Sequence, residues 1–167
     1  MQIKHLILSG LMLAVACAFA QADDEDAPWK ESAVPPPPAI GKNTPIPLEM
    51  PPYVSLRYGV DPDSLSISKE GVVRYVMIAT NPSGAMNAMY EGIRCATGEV
   101  RTYAVYGASG KWVDVKDSKW RGMNDNLPSK HALALARQGA CVDRYSPASS
   151  PAAIIRELKY PGSSRIQ

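Results

Sequence analysis

The chain has 167 residues, 18 Lys and Arg against 16 Asp and Glu for a formal net charge of +2, and 46% apolar residues. That near-neutrality argues against a nucleic-acid binder, which shows a strongly basic face or stripe. The length is that of roughly one domain, large enough to bury a core without a disulfide or a metal to hold it.

The first 22 residues name a compartment. Lys4 and His5 precede an apolar run from Leu6 to Cys17, and Ala18-Phe19-Ala20 and Ala20-Gln21-Ala22 offer small-residue cleavage sites. A positive start, a short apolar stretch and an A-x-A site predict a secretory signal peptide over residues 1–22. The run is too short to span a bilayer. Ala14-Val15-Ala16-Cys17 offers an alternative: it loosely resembles a lipobox, with Cys17 as an acylated first residue and the chain anchored by lipid.

Residues 23–52 read as an arm. Asp23, Asp24, Glu25, Asp26 and Glu31 face only Lys30, so an acidic lead precedes a mildly basic body. Pro35 to Pro38, then Pro45, Pro47, Pro51 and Pro52, favour polyproline II and exclude a helix or a central strand. Trp29, Ile40, Ile46, Leu48 and Met50 are anchors that a disordered linker lacks, so the arm is expected to lie extended across the domain.

Residues 53–145 read as an α+β domain. Strands are expected at Tyr53 to Arg57, Leu65 to Ser68, Val72 to Thr80, Ala85 to Ala96, Val100 to Tyr106 and Lys111 to Val115. Turns at Asp61-Pro62-Asp63-Ser64, Asn81-Pro82-Ser83-Gly84 and Thr97-Gly98-Glu99, about ten residues apart, imply an antiparallel meander of about five strands. Val73, Tyr75, Met77 and Ala79 form one apolar face of the clearest strand, while Arg74 interrupts the other. Ser129 caps a helix over Lys130 to Gln138 that Gly139 stops. In residues 146–167, Pro151 to Lys159 forms a weaker C-terminal helix, followed by a tail.

With Cys17 inside the leader, Cys95 and Cys141 remain, and an even pair in an oxidising compartment reads as a disulfide. It would close a loop of about 47 residues, worth roughly 4 kcal/mol, and staple the helix to the sheet. His131 is the lone histidine beyond the leader, and C-x-x-C and H-x-x-x-H spacings are absent, so neither a metal nor a cofactor is expected.

Two groups could carry function. Arg74, Glu91 and Arg94 form a polar cluster: a general base with anion-binding arginines, or an ion pair within the sheet. Glu91 and Arg94 differ in parity, so a bulge at Gly92 would be needed to align them. Trp112, Trp120 and Arg121 offer an aromatic-basic patch for an envelope protein or a glycan. Asp61, Ser64 and His131 hold the residue types of a nucleophile triad, but no G-x-S-x-G elbow is present, and Asp61 and Ser64 read as turn-formers. His131 reads as a surface or boundary residue. Gly107-Ala108-Ser109-Gly110 lacks the lysine and the helix of a phosphate loop.

The ordered set Trp29, Glu31, Asp61-Pro-Asp-Ser64, Gly71-Val-Val-Arg-Tyr75, Ser83-Gly84, Tyr90-Glu-Gly-Ile-Arg-Cys95, Tyr103, Gly110-Lys-Trp112, Trp120 and Cys141 resembles the CNP-one-like family of exported proteobacterial proteins of unknown function. The resemblance spans roughly residues 28 to 142. It implies a Gram-negative envelope setting, periplasmic or outer, and no catalytic residue to carry over. The expectation is an exported, non-enzymatic binding or structural module. The alternatives are a lipid-anchored surface protein and a periplasmic enzyme with its site around Glu91, Arg74 and Arg94.

Overall fold

The computed structural model describes residues 28–143 and 145–162; the leader, Cys17 and the acidic stretch at residues 23–26 lie outside the described residues. In chain order the strands are β1 (Ile46–Pro47), β2 (Arg57–Val60), β3 (Ser66–Ile67), β4 (Val72–Thr80), β5 (Met86–Arg94), β6 (Glu99–Tyr106), β7 (Trp112–Asp114), β8 (Arg121–Gly122), β9 (Cys141–Val142) and β10 (Ser146–Pro147). Helix α1 (His131–Leu135) continues into a π-helical turn at Ala136–Ala140, and α2 spans Pro151–Lys159.

Eight strands pair antiparallel into one sheet in the order β1-β2-β4-β5-β6-β7, with β3 beside β2 along β4 and β8 beside β7 along β6. The meander expected from the turn spacing is present, but with eight strands rather than about five. The additions, β1 and β8, have two residues each, too few to show an alternation. The strand expected at Tyr53 to Arg57 lies further on, over Arg57–Val60; Val54 turns back onto the Pro51 carbonyl and Tyr53 is exposed. Gly59 hides that strand from a propensity reading yet is what permits it. A Cβ there would sit 2.9 Å from Pro45 Cβ, where the arm crosses into β1.

Both faces of the sheet are covered, which is why β4 is buried along nearly its whole length. One face (Val73, Tyr75, Met77, Ile93) packs with Leu135, Ile154 and Leu158 of the helices. The other (Val76, Ile78, Ala88, Tyr90, Ala104) packs against Val34 and Ile40 of the arm, together with Trp112. Helix α2 forms over the expected residues and is part of the core: Ser150 accepts the Ala153 N–H as its cap, Pro151 opens it, and Ile154 and Leu158 are buried.

Cys95 and Cys141 form the expected disulfide. Cys95 follows β5, while Cys141 opens β9, past the π-helical turn where Gly139 takes φ +145°. The bridge therefore ties the sheet to the β9–β10 hairpin, and not to the helix itself.

Candidate functional site

The β5–β6 pairing contains one irregularity that organises both faces. Tyr90 pairs with Ala104 but Glu91 pairs with Thr102, so Tyr103 is an extra residue in β6. The bulge lies on β6 at Tyr103, opposite the step from Tyr90 to Glu91, rather than in β5 at Gly92, which pairs in register with Arg101. It sends the Tyr103 ring onto the arm side and leaves Glu91 and Thr102 paired on the helix side.

On the arm side, Glu31 is the hub. Its carboxylate accepts from Arg74 Nη2 at 3.3 Å, Arg101 Nη1 at 3.0 Å, the Tyr103 hydroxyl at 2.5 Å and Trp120 Nε1 at 3.2 Å. Burial, then the Glu31 carboxylate, push the Tyr103 hydroxyl above its ordinary pKa, so it stays protonated and donates. Arg74 also meets Glu70 at 3.1 Å, and Glu70 in turn accepts from the Ser32 hydroxyl at 2.6 Å. Trp112 Nε1 donates to the Pro38 carbonyl at 3.0 Å, and Trp29 packs edge-on against Trp120. Both candidate-patch indoles are thus half-buried and spend their N–H on the chain's own arm.

Arg74, Glu91 and Arg94 do not meet. Arg74 pairs in register with Gly92 and points to the arm, while Glu91 pairs with Tyr75 and points to the helices. Arg94 lies 3.8 Å over the Trp29 ring and 3.7 Å from Glu99. Parity in the strand separates Glu91 from both arginines, because alternate residues face opposite sides of a sheet.

On the helix side Glu91 finds other partners. Its Oε2 accepts from the Tyr75 hydroxyl at 2.9 Å and sits 2.7 Å from His131 Nε2, and its Oε1 accepts from the Thr102 hydroxyl at 2.9 Å. Burial pushes the Glu91 carboxyl up, but the His131 ring and the two hydroxyls overcome it, and the net shift is downward. The Tyr75 hydroxyl, buried against this carboxylate, is pushed well above its ordinary value. His131 is buried rather than at the surface, stacked on Tyr58 at 5.0 Å between ring centroids. Its Nδ1 lies 3.0 Å from Ser129 Oγ, which also accepts the His131 backbone N–H at 3.3 Å.

This group floors a cavity of about 650 Å³ between β6, the β7–β8 loop and the entry to α1. Leu56, Met89, Val100, Val115 and Leu127 supply apolar walls, and Lys119 and Arg121 line the same space. Arg121 thus belongs to this cavity, apart from the two tryptophans with which it was grouped. Asp61 and Ser64 stay in their turn, where Asp61 accepts the Asp63 N–H and the Ser64 hydroxyl donates to the Asp61 carbonyl. Among the described residues no group of three His, Cys, Asp or Glu side chains is placed to hold a metal ion, and no helix is long and apolar enough to cross a membrane.

Sequence reasoning missed Ser129 as a partner of His131, the role of Thr102, and Glu31 as a hub. One signal was available: β5 alternation puts Glu91 on the face of Met89 and Ile93, and a carboxylate on an apolar face needs a partner.

A family model covers residues 24–159, nearly the whole described chain. The chain belongs to the CNP1-like family. No curated protein and no solved structure matches it. The residues on which the family resemblance was read are the joints of the two clusters: Trp29, Glu31, Arg74, Tyr103 and Trp120 on the arm side, Tyr75 and Glu91 on the helix side.

Proposed function

We propose that this CNP1-like protein is an exported envelope protein whose helix-side cavity binds a small amphiphile with an apolar tail and an anionic head. The observation that carries the reading is the cavity itself: about 650 Å³, walled by aliphatic side chains, with Lys119 and Arg121 outnumbering Asp117 along the β7–β8 side of its lining. Val105 and Val113, exposed on neighbouring strands β6 and β7, extend apolar surface beyond it. A glycan or an envelope protein docking on Trp112 and Trp120 has to displace Pro38 and Glu31 first, whereas the cavity needs no such exchange.

Export rests on the leader at residues 1–22, with Cys17 offering the lipid-anchored alternative. Intact mass separates the two. A native chain beginning at Gln21 or Asp23 supports soluble export, and one beginning at Cys17 with a diacylglycerol increment supports the anchor.

Binding is tested by isothermal titration of the mature protein with decanoate. Saturable heat is expected, and Val115→Trp, which fills the cavity, should abolish it while leaving the circular dichroism unchanged. Absence of heat, or equal binding by the variant, contradicts the reading.

A further inference from the structure

Resting on the cavity reading, we infer that Ser129, His131 and Glu91 form a nucleophile–base–carboxylate relay that hydrolyses carboxylic esters with apolar acyl groups. The inference begins with proton accounting. Ionised Glu91 can only accept, and it takes the Tyr75 hydroxyl, the Thr102 hydroxyl and His131 Nε2. Nε2 therefore carries a proton in either state of the ring. In the neutral ring Nδ1 is then a lone pair, and the Ser129 hydroxyl 3.0 Å away donates to it. Relative to the familiar Ser-His-Asp arrangement the two ring nitrogens exchange places, yet each makes the contact its role requires.

The ring is held for that role. Stacking on Tyr58 with 18° between planes fixes its orientation, and the contact to Glu91 fixes its tautomer. The N-cap of α1 is Lys130 rather than the expected Ser129, and a Ser129 that only steadied the start of the helix would need no more than its bond from the His131 N–H. Instead, the ring's other nitrogen meets a carboxylate only 2% exposed, which the Tyr75 and Thr102 hydroxyls hold in place behind it. Ser129, His131 and Glu91 all line the cavity, so an acyl group lying against Val100 and Leu127 shares a space with the Ser129 hydroxyl.

The chemistry balances without redox or metal. Ser129 Oγ adds to the ester carbonyl carbon as its proton passes to His131 Nδ1. Collapse breaks the acyl carbon–oxygen bond, and the leaving alkoxide departs as an alcohol with that proton. Water then adds to the acyl-serine and gives a proton to Nδ1; release of the carboxylic acid returns that proton to Ser129. Lys119 and Arg121, which line the same cavity as Ser129 alongside Asp117, are the cationic side chains there that an oxyanion could draw on. Glu91 acts through His131 and is a positioning residue.

The test treats the full mature protein with a fluorophosphonate probe, maps the adduct by mass spectrometry, and follows p-nitrophenyl butyrate hydrolysis. An adduct on Ser129 is expected, with turnover reduced at least about 100-fold in Ser129→Ala and unchanged in the exposed-loop control Ser109→Ala. Glu91→Gln is expected to lower kcat with KM nearly unchanged and to shift the acid limb of the pH–rate profile, which loss of scaffold alone does not do. The adduct map on the unmutated chain decides even where a variant fails to fold. A protein that binds decanoate but gives no adduct, or gives one on another serine, overturns the relay and leaves the binding reading standing. A protein that labels at Ser129 without binding decanoate upholds the relay and removes the amphiphile.

Discussion

The Tyr103 hydroxyl passes directly over Gly92: a Cβ added to Gly92 would lie 2.3 Å from that oxygen and 2.9 Å from Val72 Cγ1. The glycine is required by this crossing, since the β6 bulge aims Tyr103 across β5 to reach Glu31 at 2.5 Å. Gly92→Ala is therefore expected to destabilise the protein by about 1–3 kcal/mol through overpacking. In a Tyr103→Leu background the same change should cost clearly less. Urea unfolding of the four proteins measures the coupling, and additive losses would remove the crossing as the cause.

Glu31 joins the arm to the sheet through two guanidiniums, a phenol and an indole. Glu31→Gln keeps the shape but leaves Arg101 without its carboxylate, and a loss of about 1–3 kcal/mol is expected. Limited proteolysis should then cut the arm within residues 28–45 faster than in the parent protein, while the disulfide-closed body resists. Unchanged arm cleavage would show that Trp112 and the apolar contacts of Val34 and Ile40 hold the arm alone.

Acid stability follows from two carboxylates. Hydrogen bonds from Ser32 and from its own backbone overcome the effect of burial on Glu70 and bring its pKa down to about 2, from an ordinary 4.5. Glu91 is shifted the same way. A depressed carboxyl contributes stability that is fully present above its unfolded pKa and is lost as pH falls through its folded one. Stability should thus hold above about pH 5 and fall between about 4.5 and 2 as Glu70 protonates. Glu70→Gln should flatten part of that fall. Chemical denaturation from pH 7 to pH 2 checks it, and identical slopes for variant and parent would count against the Glu70 contribution.

The bridge closing 46 residues of sequence separation constrains the unfolded chain, and Cys95→Ala with Cys141→Ala should cost about 4 kcal/mol. The β9–β10 hairpin, paired over only two residues a side, should lose hydrogen-exchange protection first.

Strand β4, its hairpin loop, helix α2 and the disulfide were legible because each rests on a local signal: β-branched alternation, an Asn-Pro-Ser-Gly turn, a proline at N1, an even cysteine pair. Strands β1 and β8 were not, because a two-residue bridge exists only through its partner. His131 was misread because its first-turn position says nothing of the sheet that α1 packs on, and burial comes from Tyr58 and Glu91, forty or more residues away. Glu31 looked like part of an acidic lead, and its four partners come from β4, β6 and the segment before β8. Trp112 and Trp120 were singled out as a binding patch with Arg121, and sequence alone could not show that their N–H groups bond to Pro38 and Glu31 of the arm.

The most direct measurement is a ¹H–¹⁵N correlation spectrum of the mature protein titrated with decanoate. The account expects saturable shifts at Thr102, Val115, Ser129 and His131, with the arm-side amides of Val34 and Ile40 unmoved. Shifts confined to the arm side, or none at all, would contradict it and move the functional site away from the Glu91–His131 cavity.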